Sequence, residues 1–242
     1  MTNKHYESIA EDFNKVWRFS DEYKIWAVDK IGYYLDLKNS DVFVDIGGGT
    51  GTFTNMIDNK FELKKSYCVE PESKMCKLAK EYSNFEIICS DVFGFLDNLQ
   101  FAYNKILFKE VIHHIKDRKK LWHNIYHTIE DNGRILIYTR PRNNKFPLFQ
   151  KAKKEFYKNQ PLYSEMVLEL EKSKFKTSVS LESFTFKLPK DEWYSMLKSR
   201  FMSDLSVFTD DEIIQGIDEL EKENTSNQFI IEDEIVFITA YK

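Results

Sequence analysis

The stretch Asp41-Val42-Phe43-Val44-Asp45-Ile46-Gly47-Gly48-Gly49-Thr50-Gly51-Thr52-Phe53 constrains this chain more than any other. A short apolar run with β-branched residues ends in a carboxylate, a glycine knot follows, and the next residues read as helix. Strand, Gly-rich turn and helix together make the nucleotide-gripping unit of an open α/β sheet. Glycines suit such a turn because they allow positive φ and let backbone N–H groups approach a ligand with no Cβ in the way.

The chain that follows repeats the strand–helix rhythm. Residues 66–70, 85–89, 105–108 and 134–139 read as strands, with helices over 53–59, 74–82 and 117–130 between them. Pro71 sits where a first helical turn tolerates it. Alternation of this kind, with mostly apolar strands, predicts a parallel sheet covered on both faces, with every strand's C-terminal end on one edge. Beyond residue 140 the pattern loosens. Helices are expected over 160–175, 191–201 and 209–223, the last capped by Thr209, with strand over 177–188 and 234–241. The fold expected is α/β and doubly wound, a mostly parallel seven-stranded sheet with a late helical insertion. It forms one domain over residues 1–242. Residues 1–38 provide an aromatic-rich helical lid, 41–140 a cofactor-binding core, and 141–242 the substrate-side helices and last strands.

Composition narrows the partners. With 35 Lys and Arg against 39 Asp and Glu, the formal charge is −4, which speaks against bulk nucleic-acid binding. No apolar run approaches twenty residues, and Met1-Thr2-Asn3-Lys4-His5 begins no apolar signal region, so no membrane span and a cytoplasmic location are expected. Cys68, Cys76 and Cys89 are odd in number and lack metal-type spacing, so reduced buried thiols and no metal are expected.

Asp45, Glu70, Asp91 and the Lys109-Glu110 pair each close a successive strand, and so share the sheet edge where open α/β folds bind ligands. The dinucleotide fingerprint wants a third glycine where Thr52 stands, and a phosphate-cradling loop wants a lysine after Gly51. Acids along the edge suit a cationic or neutral ligand better than a pyrophosphate.

Asp45-Ile46-Gly47-Gly48-Gly49-Thr50-Gly51 resembles motif I of the class I S-adenosylmethionine-dependent methyltransferases. Glu70-Pro71 with Met75 resembles their second-strand acidic motif, and Ser90-Asp91-Val92-Phe93 their adenine-contacting turn. Residues 105–115, with Val111-Ile112-His113-His114-Ile115, are similar to the fourth-strand segment of the ubiquinone-biosynthesis-like small-molecule group. Asn132-Gly133-Arg134-Ile135-Leu136-Ile137 looks like the family's fifth-strand entry, and residues 6–13 its opening segment. The resemblance covers residues 5–140.

That resemblance implies S-adenosyl-L-methionine as cofactor, S-adenosyl-L-homocysteine as product, and methyl transfer to a small-molecule O, N, S or C nucleophile. The N–H groups around Gly47, Gly49 and Gly51 would meet the methionine carboxylate, and Asp45 the ammonium and sulfonium end. Glu70 would accept from the ribose hydroxyls, and Asp91 from the adenine amino group, with Val92, Phe93 and Met75 against the ring. Because the sulfonium is already an excellent leaving group, alignment and water exclusion matter most. A general base is needed only for a protonated acceptor; His113, then His114, are the candidates. Tyr6, Trp17 and Arg140 are the expected substrate contacts, Arg140 clamping an anionic group. Lys109, counted with the cofactor-binding residues, is a puzzle, since a cation beside a sulfonium is repulsive; its side chain is expected to point away or pair with Glu110, and facing the pocket it would hold an anionic substrate group. Trp193, Tyr194, Arg200, Phe201 and Met202 are expected to add an aromatic wall. An RNA or protein methyltransferase, a non-catalytic cofactor-binding regulator and a nicotinamide dehydrogenase are the alternatives. Oligomeric state is not legible.

Overall fold

A computed structural model describes residues 20–242. Along the chain run α1 (Asp21–Leu35), β1 (Val42–Ile46), α2 (Thr52–Phe61), β2 (Lys65–Val69), α3 (Ser73–Ala79), β3 (Glu86–Ile88), α4 (Val92–Asp97), β4 (Lys105–Lys109), α5 (Arg118–Thr128) and β5 (Arg134–Thr139). Then come α6 (Gln150–Asn159), α7 (Tyr163–Lys172), β6 (Lys176–Pro189), α8 (Lys190–Lys198), α9 (Asp210–Glu223) and β7 (Gln228–Tyr241). The seven strands lie in the order β3-β2-β1-β4-β5-β7-β6. The first five are parallel, and β7 runs antiparallel to both neighbours. This is the mostly parallel, doubly wound α/β sheet that the alternation predicts.

Strand alternation divides the core into two layers. Val44, Ile46, Ile106, Phe108, Ile135, Ile137, Val236 and Ile238 face one way, toward Phe95, Trp122, Ile125 and Leu170 of the helices there. Phe43, Leu107, Leu136, Tyr138, Ile235 and Phe237 face the other, where Ala27, Val28, Ile31 and Leu35 of α1 and Ile57 of α2 cover them. Residues 21–35 are therefore mainly a core helix on the sheet face, with Lys24 at its start reaching the cavity at the sheet edge. Ser20 caps α1 by accepting from the Tyr23 N–H. Tyr6, Trp17 and the rest of the segment before it lie outside the described residues. No helix among the described residues is long and apolar enough to cross a membrane.

β6 and β7 are each 14 residues long and pair along their whole length. Their far halves outrun β5, which is paired only from Thr139↔Val236 onward. On that overhang the insertion builds a second core from Phe146, Phe149, Phe156, Trp193, Leu197, Phe201, Leu205, Ile213, Leu220 and Phe229. α9 is started there by a capping box between Thr209 and Glu212. The expected aromatic wall is corrected here. Trp193, Tyr194, Phe201 and Met202 are buried inside this second core, and Arg200 binds the Phe208 carbonyl and Asp210. Burial of these large rings is worth more than exposing them to a cleft.

The thiol expectation also needs correction. Cys76 and Cys89 form a disulfide with their Cα atoms 6.1 Å apart, because α3 packs back beside the end of β3. Only Cys68 remains a free, buried thiol, so the thiols no longer argue for a reducing compartment.

Trp193 is fully buried and donates from Nε1 to the Pro147 carbonyl at 2.8 Å. Trp193→Ala is expected to cost about 3–5 kcal/mol in urea unfolding. The transition should remain single, since β6 and β7 run through both cores and couple them.

Candidate active site

The acid-terminated strands converge on a cavity of about 860 Å³ at the C-terminal edge of the sheet. Its near wall is the glycine turn. Gly47 has φ 71°, and a Cβ there would lie 2.5 Å from the Val111 side chain, so this position admits no other residue without displacement. Gly49 has φ 59°, and a Cβ on it would meet no protein atom within 4 Å. Its missing side chain therefore leaves ligand space in the cavity. The peptide hydrogens differ from the expectation. The Gly47 N–H donates to the Val69 carbonyl at 2.7 Å, and that of Gly49 to Glu70 Oε2 at 3.0 Å. Gly51, at φ 75°, is the N-cap of α2. The Gly47 and Gly49 N–H groups are therefore engaged within the protein, and the first turn of α2 lines the cavity beside them through Thr52 and Phe53.

Glu70 lines the cavity at the end of β2, 8% exposed. Oε1 accepts from the Glu72 N–H at 2.9 Å and Oε2 from Gly49. Each oxygen keeps a second lone pair, so the carboxylate still has acceptor capacity for a diol. Burial raises its pKa, and the two backbone donors oppose that. Asp91 caps α4, with Oδ1 accepting from the Gly94 N–H at 2.8 Å and Oδ2 without a bond among the described residues. Val92, Phe93 and Met75 sit beside it on the cavity wall. Pro71 also lines the cavity but precedes the helix, because Glu72 is the N-cap of α3.

Asp45 lies deeper, 2% exposed, and accepts from the Thr54 hydroxyl at 2.7 Å. Burial pushes its carboxyl up to about 6, against the pull of Thr54 and of Lys109. Lys109 points to the α1 and α2 face of the sheet, its Nζ 3.9 Å from the Phe53 ring centroid and 5.2 Å from that of Tyr138. Burial lowers its pKa to about 8, with Glu110 opposing. Cation–π contact with two rings explains how a lysine is kept at this edge.

Arg140 requires the largest correction. It is 2% exposed and spends Nε and Nη2 on the two oxygens of Asp233, both at 2.7 Å, and Nη1 on Glu110 Oε2. The Tyr23 hydroxyl donates to Asp233 Oδ2 and contacts the Tyr138 hydroxyl, each at 2.8 Å. Arg140 lines the cavity but is no anion clamp, since its guanidinium is held by two carboxylates. The two histidines also exchange places. His114 lines the cavity, while His113 does not. The His113 Nδ1 is buried without a hydrogen bond among the described residues, and burial, then Arg140, lowers its pKa to about 4. His114 is lowered too, by desolvation and then by His113, although its outer edge is exposed.

Asp233 and Tyr23 carry no functional expectation from the sequence, and Glu110 only its place at the binding edge beside Lys109. The signal for Asp233 is its register: with Ile231, Ile235 and Phe237 it occupies an inward-facing position of β7, where a carboxylate demands a partner.

Residues 44–135 match a family model described as a methyltransferase domain. The stretch from β1 to the start of β5 is thus similar to a methyltransferase domain. The fold of the chain resembles a putative methyltransferase from an antibiotic biosynthesis pathway of Anabaena variabilis, with TM-score 0.64 and 21% identity over 88% of this chain and 96% of that one. It also resembles the mycolic acid cyclopropane synthase CmaA1 complexed with SAH and CTAB, with TM-score 0.66 and 11% identity over 99% and 96% of the two chains. The [4+2]-cyclase SpnF is similar as well, with TM-score 0.65 and 10% identity over 99% and 94%. No curated protein matches significantly by sequence. In the methyltransferase domain the residues present fit S-adenosylmethionine. The space at Gly49 and the acceptor capacity left on Glu70 and Asp91 Oδ2 suit a ligand carrying amino and hydroxyl donors.

Asp45 and His113 give opposing pH dependences. An imidazole lowered from about 6.5 to about 4 binds fewer protons folded than unfolded, so it adds stability as pH rises through that window. A carboxyl raised from 3.8 to about 6 binds more protons folded, so it removes stability as pH rises between those values. Each is worth up to about 3 kcal/mol. In urea unfolding from pH 4 to 6, His113→Asn should lose stability relative to wild type increasingly as pH rises, and Asp45→Asn should gain it.

Proposed function

We propose that the methyltransferase domain acts on a small-molecule acceptor. The observation that carries this reading is the cavity itself. One concave site of about 860 Å³ is lined both by Gly49, Glu70 and Asp91 and by Glu110, Val111, His114 and Arg140. That volume lies within the range of small-molecule sites. A fold shared with a cyclase does not fix the reaction, so the acceptor side must be argued from its own residues.

S-adenosylmethionine supplies an electrophilic methyl group on a sulfonium. Thr52 and Phe53 at the start of α2 would hold the methionine carboxylate, Glu70 the ribose diol, and Asp91 Oδ2 the adenine amino group. Met75, Val92 and Phe93 would exclude water around the ring. Asp45 lies beneath the methionine end, shielded by Thr54, where its charge offsets the positive end of the ligand through space. The far end of the cavity, walled by Glu110, His114 and Arg140, is where an acceptor would be aligned. His114 replaces His113 as the proton acceptor for a protonated nucleophile, because it reaches the cavity.

Calorimetry with S-adenosylhomocysteine tests the cofactor half. Glu70→Ala is expected to weaken binding by about 1–3 kcal/mol. Gly49→Ala should weaken it at least comparably, since the new methyl enters ligand space at positive φ. Unchanged affinity in both variants would remove the assignment. Turnover by a panel of small nucleophiles, with none on RNA or protein, supports the acceptor class.

A further inference from the structure

We infer that Glu110 is the specificity-determining residue for the acceptor, and that it selects one presenting a hydrogen-bond donor, an amine or a hydroxyl, rather than an anion. This rests on the small-molecule methyltransferase reading above and names the chemistry of its acceptor end.

Four observations converge on this side chain. Glu110 directly follows β4 and lines the cavity beyond the glycine turn. Its backbone is left-handed, at φ 54°, a conformation that residues with a Cβ adopt only where their surroundings enforce it. The enforcing contacts are visible. The Glu110 N–H donates to the Tyr138 carbonyl at 2.8 Å, and its Oε2 accepts from Arg140 Nη1. The other oxygen, Oε1, is buried and has no hydrogen bond among the described residues.

The charges around it explain why that oxygen needs a donor. Arg140 is already matched by Asp233, whose two oxygens take Nε and Nη2. Glu110 therefore brings a second carboxylate to one guanidinium. The neighbouring Lys109 attracts it through space but gives it no hydrogen bond, its ammonium lying over the Phe53 and Tyr138 rings. A strained backbone and an unsatisfied carboxylate oxygen are both costly, and they coincide at the wall where an acceptor would lie. An ionised carboxylate offers only acceptor lone pairs. A group docked on Oε1 must then donate an N–H or O–H, whereas a carboxylate or phosphate would meet like charge. This reverses the anionic acceptor expected when Arg140 was thought to be available.

The test uses the full chain saturated with S-adenosylhomocysteine and three matched probes, benzylamine, benzyl alcohol and benzoate, with affinities read by ligand-observed NMR titration. Benzylamine and benzyl alcohol should bind wild type about tenfold or more tighter than benzoate, the selectivity of one hydrogen bond to a charged group. In Glu110→Gln that preference should shrink or vanish while S-adenosylhomocysteine affinity stays within about twofold of wild type. Glu110→Gly, which removes the carboxylate and suits the left-handed backbone, should lose the preference in the same way and guards against misfolding of the first variant. A merely structural role would lower all three affinities together and leave their ratio unchanged. The inference is overturned if benzoate binds best, if the ratio survives in both variants, or if no probe binds a protein that does bind S-adenosylhomocysteine. Failure to bind S-adenosylhomocysteine would instead overturn the methyltransferase reading beneath it.

Discussion

The far end of the cavity depends on how a buried guanidinium is neutralised. Arg140 is 2% exposed, and a charge so placed must find carboxylates. One comes from Glu110, at the end of the neighbouring strand. The other comes from Asp233, which reaches it only because β7 enters the sheet antiparallel beside β5 and continues past its end. Tyr23 of α1 and Tyr138 of β5 complete the hydrogen bonds. One ion-pair network thus joins the first described helix, the ends of two parallel strands and the last strand of the chain. Its contacts meet Glu110 where its backbone is left-handed, at φ 54°.

The cofactor end obeys a different logic. There the strong groups are backbone amides and carboxylates that satisfy one another only in part. Glu70 ties the glycine turn to β2 through the Gly49 N–H, yet retains lone pairs for a ligand. Asp91 uses one oxygen as a helix cap and leaves the other. Preorganisation is achieved by giving each side chain a structural bond that fixes its position and a second valence that stays available. At the acceptor end, Glu110 follows the same pattern with Arg140 as its anchor.

The parts of the site read most directly from the residues are those built from consecutive sequence. Gly47 and Gly49, Glu70 and Asp91 follow the ends of β1, β2 and β3, and parallel strands bring such ends to one edge whatever the helices between them do. The histidines were harder, because a short 3-10 turn, Ile112–His114, decides which ring faces the cavity, and periodicity cannot resolve a single turn. Arg140 was misjudged for a longer-range reason. Its partner lies 93 residues away, on the half of β7 that the alternation of residues 234–241 did not reach. Cys76 and Cys89 likewise sit on a helix and past a strand end, and only the packing of α3 beside β3 joins them.

Local chemistry therefore determined the α/β class, the direction of the sheet and the placement of the glycine turn and carboxylates along one edge. These follow from hydrophobic alternation, glycine's backbone freedom and the placement of carboxylates after strands, all of which act within a few residues. Tertiary structure alone decided that residues 21–35 are mainly core, that the late aromatics form a core of their own, and that Arg140 is held while Glu110 is left with an open oxygen. Those outcomes depend on which distant groups share a buried space. Charge compensation there is set by the fold's topology and not by neighbours in the chain.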